Sequence, residues 1–156
     1  MLITAMAIQV AVVGSGGEWE MSAEEVGRLL AERGCTVVTG GLGGVMAAAH
    51  RGAKAVGGVT IAILPGESRR AANPWADHVV VTGIGHARNL AVAASGDAVI
   101  AIGGSYGTIA EMALALRLGR RVVALEGAPE VDGAERAATP AEAVDLALRH
   151  LGETAA

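Results

Sequence analysis

Residues 99–111 read Val-Ile-Ala-Ile-Gly-Gly-Ser-Tyr-Gly-Thr-Ile-Ala-Glu. Val99 to Ile102 are β-branched or small apolar residues, the pattern of a strand buried on both faces of a parallel sheet. The run ends in Gly103-Gly104-Ser105 and then takes up helical spacing at Tyr106, Ile109, Met112, Ala113 and Leu116. A strand that ends in glycine and turns straight into a helix presents unpaired backbone N–H groups at the positive end of the helix dipole. Such a turn suits an anion, above all a phosphate. Glu111, one turn into the helix, adds a carboxylate beside that position, which points to chemistry on a ribose or base rather than on the phosphate.

The same grammar repeats outward from this stretch. Ile8–Val13 reads as a strand and is followed by Gly14-Ser15-Gly16-Gly17. Ser22 and Glu25 have the spacing of a capping box, with Val26, Leu29 and Leu30 as an apolar stripe and Gly34 as the stop. Val37-Val38 leads into Gly40-Gly41-Leu42-Gly43-Gly44, then a helix over 45–55. Val59–Leu64 is a third strand, stopped by Pro65-Gly66. A polar loop spans 65–77. Val79–Val81, a short helix from Arg88 to Ala94 and a strand over Val122–Leu125 follow in order, and Thr139-Pro140 opens a last helix. Alternating strands and helices predict a single-domain, Rossmann-like α/β three-layer sandwich. Its sheet would be mainly parallel, with about six or seven strands. The domain is expected over 1–152, with a frayed tail at 153–156. Ligands of such sheets sit beyond the carboxyl ends of the strands, where strand order reverses. The glycine clusters at 14–17, 40–44 and 103–107 would meet there.

Composition removes several function classes. The net charge is −4 and Lys54 is the single lysine, so the chain lacks the clustered cations that hold nucleic acid. The one cysteine, Cys35, permits no internal disulfide and reads as a small core residue. The apolar N-terminus has no basic segment or cleavage site, and no apolar run reaches membrane-spanning length without glycine turns. The expected location is the cytoplasm, with no membrane partner. The four histidines are scattered without metal-ligand spacing, so no metal site is expected, and His86 reads as a helix-start or surface residue.

The cluster at Gly14 fails as a dinucleotide fingerprint, because Trp19 stands where that motif needs glycine or alanine and no acid ends the second strand. Gly14 and Ser15 stay candidate phosphate or ribose contacts, with a plain tight turn as the alternative. Thr108 and Glu111 could equally form a capping box. Arg88, near the start of its helix, is electrostatically misplaced there. A phosphate or the Glu111 carboxylate would hold it, and an ordinary surface ion pair is the competing explanation.

Taken together, Arg88-Asn89 and Gly103-Gly104-Ser105-Tyr106-Gly107-Thr108-Ile109-Ala110-Glu111 resemble the LOG-type Rossmann superfamily. That group includes the cytokinin-activating nucleoside 5′-monophosphate phosphoribohydrolases, often mislabelled lysine decarboxylases, and the molybdenum cofactor carrier proteins. The hydrolases carry an Arg-Lys pair and then Pro-Gly-Gly-x-Gly-Thr-x-x-Glu. Glu111 follows Arg88 by 23 residues, in register with that pattern. Gly40-Gly41-Leu42-Gly43-Gly44-Val45-Met46 resembles the family's turn after the second strand. Gly103, Ser105 and Asn89 replace the motif proline, a glycine and the lysine, as in the shorter branch near the carrier proteins.

The resemblance implies a nucleotide-binding protein that hydrolyses the N-glycosidic bond of a nucleoside 5′-monophosphate, with Arg88 and Glu111 catalytic. Alternatively, it implies a non-catalytic carrier or sensor of a phosphate-bearing cofactor or nucleotide. No cofactor is required for the hydrolysis; a nucleotide or the molybdenum cofactor is the candidate bound group. Ligand contacts would come from Gly14, Ser15, Gly40, Gly41, Asn89 and Gly103 to Thr108. Self-association as a dimer or tetramer is a further implication. Pyridoxal phosphate chemistry has no support, since Lys54 lies in a helix with no pocket pattern around it.

Overall fold

The computed structural model describes residues 5–151; the expected frayed tail at 153–156 lies outside them. Seven strands form one sheet: β1 (Gln9–Ser15), β2 (Thr36–Thr39), β3 (Thr60–Leu64), β4 (His78–Val81), β5 (Ala98–Gly103), β6 (Arg121–Ala124) and β7 (Glu135–Arg136). Their order is β4-β3-β2-β1-β5-β6-β7, and every neighbouring pair is parallel. The chain lays down β1 to β4 toward one edge and then crosses back to place β5 on the other side of β1. The order therefore reverses between β1 and β5.

Five helices cover the sheet: α1 (Glu20–Glu32), α2 (Val45–Ala55), α3 (Arg88–Ser95), α4 (Tyr106–Arg117) and α5 (Pro140–Leu148). One core lies under α1, α2 and α5, where Val26, Leu30, Ala48 and Ala143 meet Val10, Val12, Ile100 and Ile102 of the sheet. The second lies under α3 and α4, where Val92, Met112 and Ala115 meet Val13, Val99 and Ala101. The central strands are buried on both faces, which is why they read as unbroken apolar runs rather than alternating ones. Small residues let the layers close without aromatic filling: a Cβ on Gly27 would collide with the Ala49 carbonyl, so α1 and α2 touch backbone to backbone. Cys35 is buried.

Two local readings change. Ser22 is not a cap. A 3-10 turn over Gly17–Trp19 feeds α1 from Glu20 onward, leaving Ser22 inside the helix with its hydroxyl donating to Glu126 Oε2 at 3.0 Å. The two-residue β7 was not among the strands read from the sequence. At α5 the expected start holds: Thr139 Oγ1 accepts from the Glu142 N–H at 3.2 Å, and Pro140 occupies the first turn.

Candidate functional site

A cavity of about 200 Å³ opens at the carboxyl edge where the strand order reverses. Its walls come from the ends of β1 and β2 and the starts of α3 and α4. Gly14, Ser15, Gly40, Arg88, Asn89, Ser105, Gly107, Thr108 and Glu111 line it. These residues are scattered over almost a hundred positions of sequence and gathered by the parallel topology.

Arg88 begins α3 yet is only 9% exposed. Its Nε is buried without a hydrogen-bond partner. Burial presses its pKa downward and the charge of Glu111 pushes the other way; a guanidinium stays protonated under such pressure. The surface ion pair considered for Arg88 is therefore overturned, and no hydrogen bond or ion pair joins it to Glu111 among the described residues.

Glu111 lies in α4 and is 8% exposed. Removal from water raises its pKa to about 7, against the opposing pull of Arg88. The capping box considered for Thr108 and Glu111 does not form. The helix begins at Tyr106 with Ser105 as its N-cap, so Thr108 already sits in the first turn. Ser105 makes no side-chain cap bond, and the first intrahelical bond to its carbonyl comes from Ile109 N at 3.0 Å. The N–H groups of Tyr106, Gly107 and Thr108 thus have no intrahelical acceptor. Arg88, Gly107 and Thr108 all line the cavity, so one cation and two of these donors border the same small space.

The glycines divide into two groups. Gly40 lies under Arg88: a Cβ there would collide with Arg88 Nη1 and Met46 Sδ, so only glycine leaves room for the guanidinium. Gly41 points instead toward Ala62 and Leu64 of β3. Gly103 and Gly104 shape the turn rather than line the cavity. Both have positive φ, Gly103 packing on Trp19 and Gly104 on the Thr108 side chain. Tyr106 is 88% exposed, outside the cavity lining.

Sequence reasoning missed Val12, Val13 and Met46 as cavity walls; His86, read as a helix-start or surface residue, is exposed in the turn before α3 and lines the cavity as well. It also missed the support beneath the Gly40 turn. His50 is fully buried, with Nε2 3.1 Å from Thr39 Oγ1 and Nδ1 3.2 Å from Asn73 Nδ2. An amide nitrogen only donates, so Nδ1 accepts and Nε2 carries the proton. Thr39 Oγ1 also accepts from the Gly41 N–H at 3.0 Å. Asn73 donates from its backbone to the Gly41 carbonyl at 2.8 Å and from its side chain to the Leu42 carbonyl at 3.2 Å. Burial lowers the His50 pKa to about 4, so the neutral ring persists in the fold. The signal for this network was a histidine among alanines on the inward side of α2.

Among the described residues, no three His, Cys, Asp or Glu side chains gather to hold a metal ion, and no helix is long and apolar enough to cross a membrane.

The sequence pattern of the SLOG cluster4 family matches residues 7–149. The chain belongs to the SLOG cluster4 family. This bears out the resemblance to the LOG-type superfamily. A family relative from Archaeoglobus fulgidus, itself uncharacterized, is 43% identical over 144 residues, spanning 90% of this chain and 95% of its own. The molybdenum cofactor binding protein of Rippkaea orientalis superposes with a TM-score of 0.85 at 31% identity, over 92% of this chain and 96% of that one. The molybdenum cofactor carrier protein of Chlamydomonas reinhardtii gives 0.83 at 32% identity, over 92% and 98%. This SLOG cluster4 chain shares their seven-stranded, three-layer architecture.

Proposed function

We propose that this chain is a carrier of a phosphate-bearing cofactor or nucleotide, with the phosphate gripped between Arg88 and the first turn of α4. The observation that carries the reading is the Arg88 guanidinium, charged, buried and unpartnered at Nε. A charge in that position costs free energy until an anion meets it. A phosphate would accept from the guanidinium and from the amides of Tyr106, Gly107 and Thr108 together.

The molybdenum cofactor, named for the Rippkaea and Chlamydomonas proteins, fits this donor set through its phosphate. Arg88, Ser105, Gly107 and Thr108 would hold that end. With no ligand cluster of its own among the described residues, the chain would leave the metal to the cofactor's own donors. The substitutions Gly103, Ser105 and Asn89 in the hydrolase motif favour carriage over turnover.

Hydrolysis of a nucleoside 5′-monophosphate is kept as a second reading because of Glu111. A carboxyl with a pKa of about 7 is poised to deprotonate water near neutrality. In its ionised form it would also stabilise developing positive charge on the ribose. Water would add to the ribose carbon as the glycosidic bond breaks, giving free base and ribose 5-phosphate, with Arg88 positioning the nucleotide.

Incubation with AMP and related monophosphates distinguishes the two readings. Carriage predicts a rise in Tm with ligand and no free base by chromatography. Appearance of free base establishes the hydrolase instead. Absence of both binding and turnover across phosphate-bearing ligands would sink the whole reading. Self-association accompanies the proposal: Ile84, Leu90, Tyr106 and Ile109 are exposed around α3 and α4, and light scattering of the purified chain would give a dimer or tetramer mass.

A further inference from the structure

The cavity is smaller than the roughly 300–1,000 Å³ usual for small-molecule sites, so a nucleotide-sized ligand seated in it projects past the rim. One element bonded to residues next to the cavity lining carries unpaired positive charge. The loop between β3 and β4 presents Arg69 and Arg70, both exposed, and neither guanidinium has a hydrogen bond or ion pair among the described residues. By contrast, Arg28, Arg33, Arg51 and Arg121 each pair with a carboxylate.

The loop is fastened on both sides to residues that adjoin the cavity lining. At its end, Asn73 binds the Gly41 and Leu42 carbonyls and the buried His50 ring. Gly41 adjoins Gly40, which lies beneath Arg88. At its beginning, the Pro65 and Gly66 carbonyls accept from the N–H groups of Gly85 and Gly83 at 3.0 Å each. Gly85 adjoins His86 at the cavity mouth. Between these ties a 3-10 turn over Arg69–Ala71 is stiffened by Ser68, whose hydroxyl accepts from Arg70 N at 3.3 Å. Arg69 lies four residues from Asn73, a span of at most about 14 Å even if extended. The buried His50, its half-buried partner Asn73 and two backbone bridges thus hold a two-arginine segment beside the anion site.

We infer that Arg69 and Arg70 form a second anion subsite, and that the natural ligand carries another anionic group beyond the phosphate held at α4. The inference rests on the phosphate reading of the cavity. It specifies a ligand with two separate anionic groups, a bisphosphate or diphosphate ester, over a simple monophosphate. The subsite is solvent-exposed, so each arginine contributes modestly, up to about fivefold in affinity, and the contribution is screened by salt.

Calorimetric titration of the full chain with inorganic phosphate, AMP, ADP and adenosine 3′,5′-bisphosphate tests it, alongside the double variant Arg69→Ala/Arg70→Ala. At low salt the wild type should bind at least one two-phosphate probe about fivefold or more tighter than AMP. The double variant should lose that advantage while phosphate and AMP affinities stay within twofold. An advantage that persists in the variant, or no advantage in the wild type, overturns the subsite and leaves the cavity reading standing. An equal loss for every probe also overturns it, because the loop would then act only on the shape of the cavity. Failure of all four probes to bind the wild type refutes the cavity reading itself.

Discussion

The guanidinium of Arg88 occupies the space that a Cβ on residue 40 would need, so Gly40 and Arg88 fit together as seat and occupant. Gly40→Ala would therefore force the guanidinium or Met46 aside. Overpacking of this kind costs about 1–3 kcal/mol. The expected outcome is a lower Tm and roughly tenfold weaker phosphate binding, read by thermal unfolding and titration. Gly41→Ala, directed at β3 instead, should destabilise the fold without a specific loss of affinity in the folded fraction.

Arg88→Met separates stability from binding. It removes a buried charge whose Nε lacks a partner and keeps a side chain of comparable length. Replacing buried ionic groups by apolar ones is often neutral or stabilising, so the ligand-free variant should unfold at or above the wild-type Tm. Phosphate affinity should fall by about 2 kcal/mol or more, at least ~30-fold. A variant that binds phosphate as tightly as wild type would remove Arg88 from the site.

Glu111 gives a pH signature. Its pKa is raised by burial from 4.5 to about 7, so the folded state holds its proton more tightly than the unfolded chain. Its contribution is fully present below pH 4.5 and is lost as pH rises through about 7. Glu111→Gln should consequently stabilise the ligand-free protein at pH 8, by on the order of 2 kcal/mol. The gain should shrink to nothing near pH 4.5. Urea unfolding of both proteins across that range checks the slope, and a gain independent of pH would contradict it.

His50 has the opposite dependence. Its pKa falls from 6.5 to about 4 through burial. Stability present above pH 6.5 is lost as pH drops toward 4, by on the order of 3 kcal/mol. In His50→Gln the acid limb between those values should flatten. Trp75, whose backbone N–H donates to Asn73 Oδ1 at 3.1 Å, gives a local fluorescence signal for release of the loop. Unchanged acid unfolding in the variant would show that His50 does not set the limb.

Much of this was legible from the chain. Gly103-Gly104-Ser105 marked the strand end, and the helical spacing of Ile109, Met112 and Leu116 after it marked the helix start. The spacing of Arg88 and Glu111 brought both to one cavity once the strands were parallel. Other features depended on facts that a linear reading does not hold. Ser22 lost its cap because a 3-10 turn started α1 three residues earlier, with Trp19 as the N-cap. Gly40 and Gly41 look alike in sequence, yet adjacent positions at a strand end face different neighbours. His50 and Asn73 find each other across 23 residues, through the packing of α2 against a loop without regular periodicity. The cavity walls Val12, Val13 and Met46 carry no chemical signal and are identified only by position.

The central claim is that Arg88 and the first turn of α4 hold a phosphate. A crystal structure of the protein with AMP tests it most directly. A phosphate oxygen should lie about 2.7–2.9 Å from a nitrogen of the Arg88 guanidinium, with a second phosphate oxygen accepting from an amide of Tyr106, Gly107 or Thr108. A phosphate bound elsewhere on the chain, away from the Arg88 guanidinium, would contradict the account.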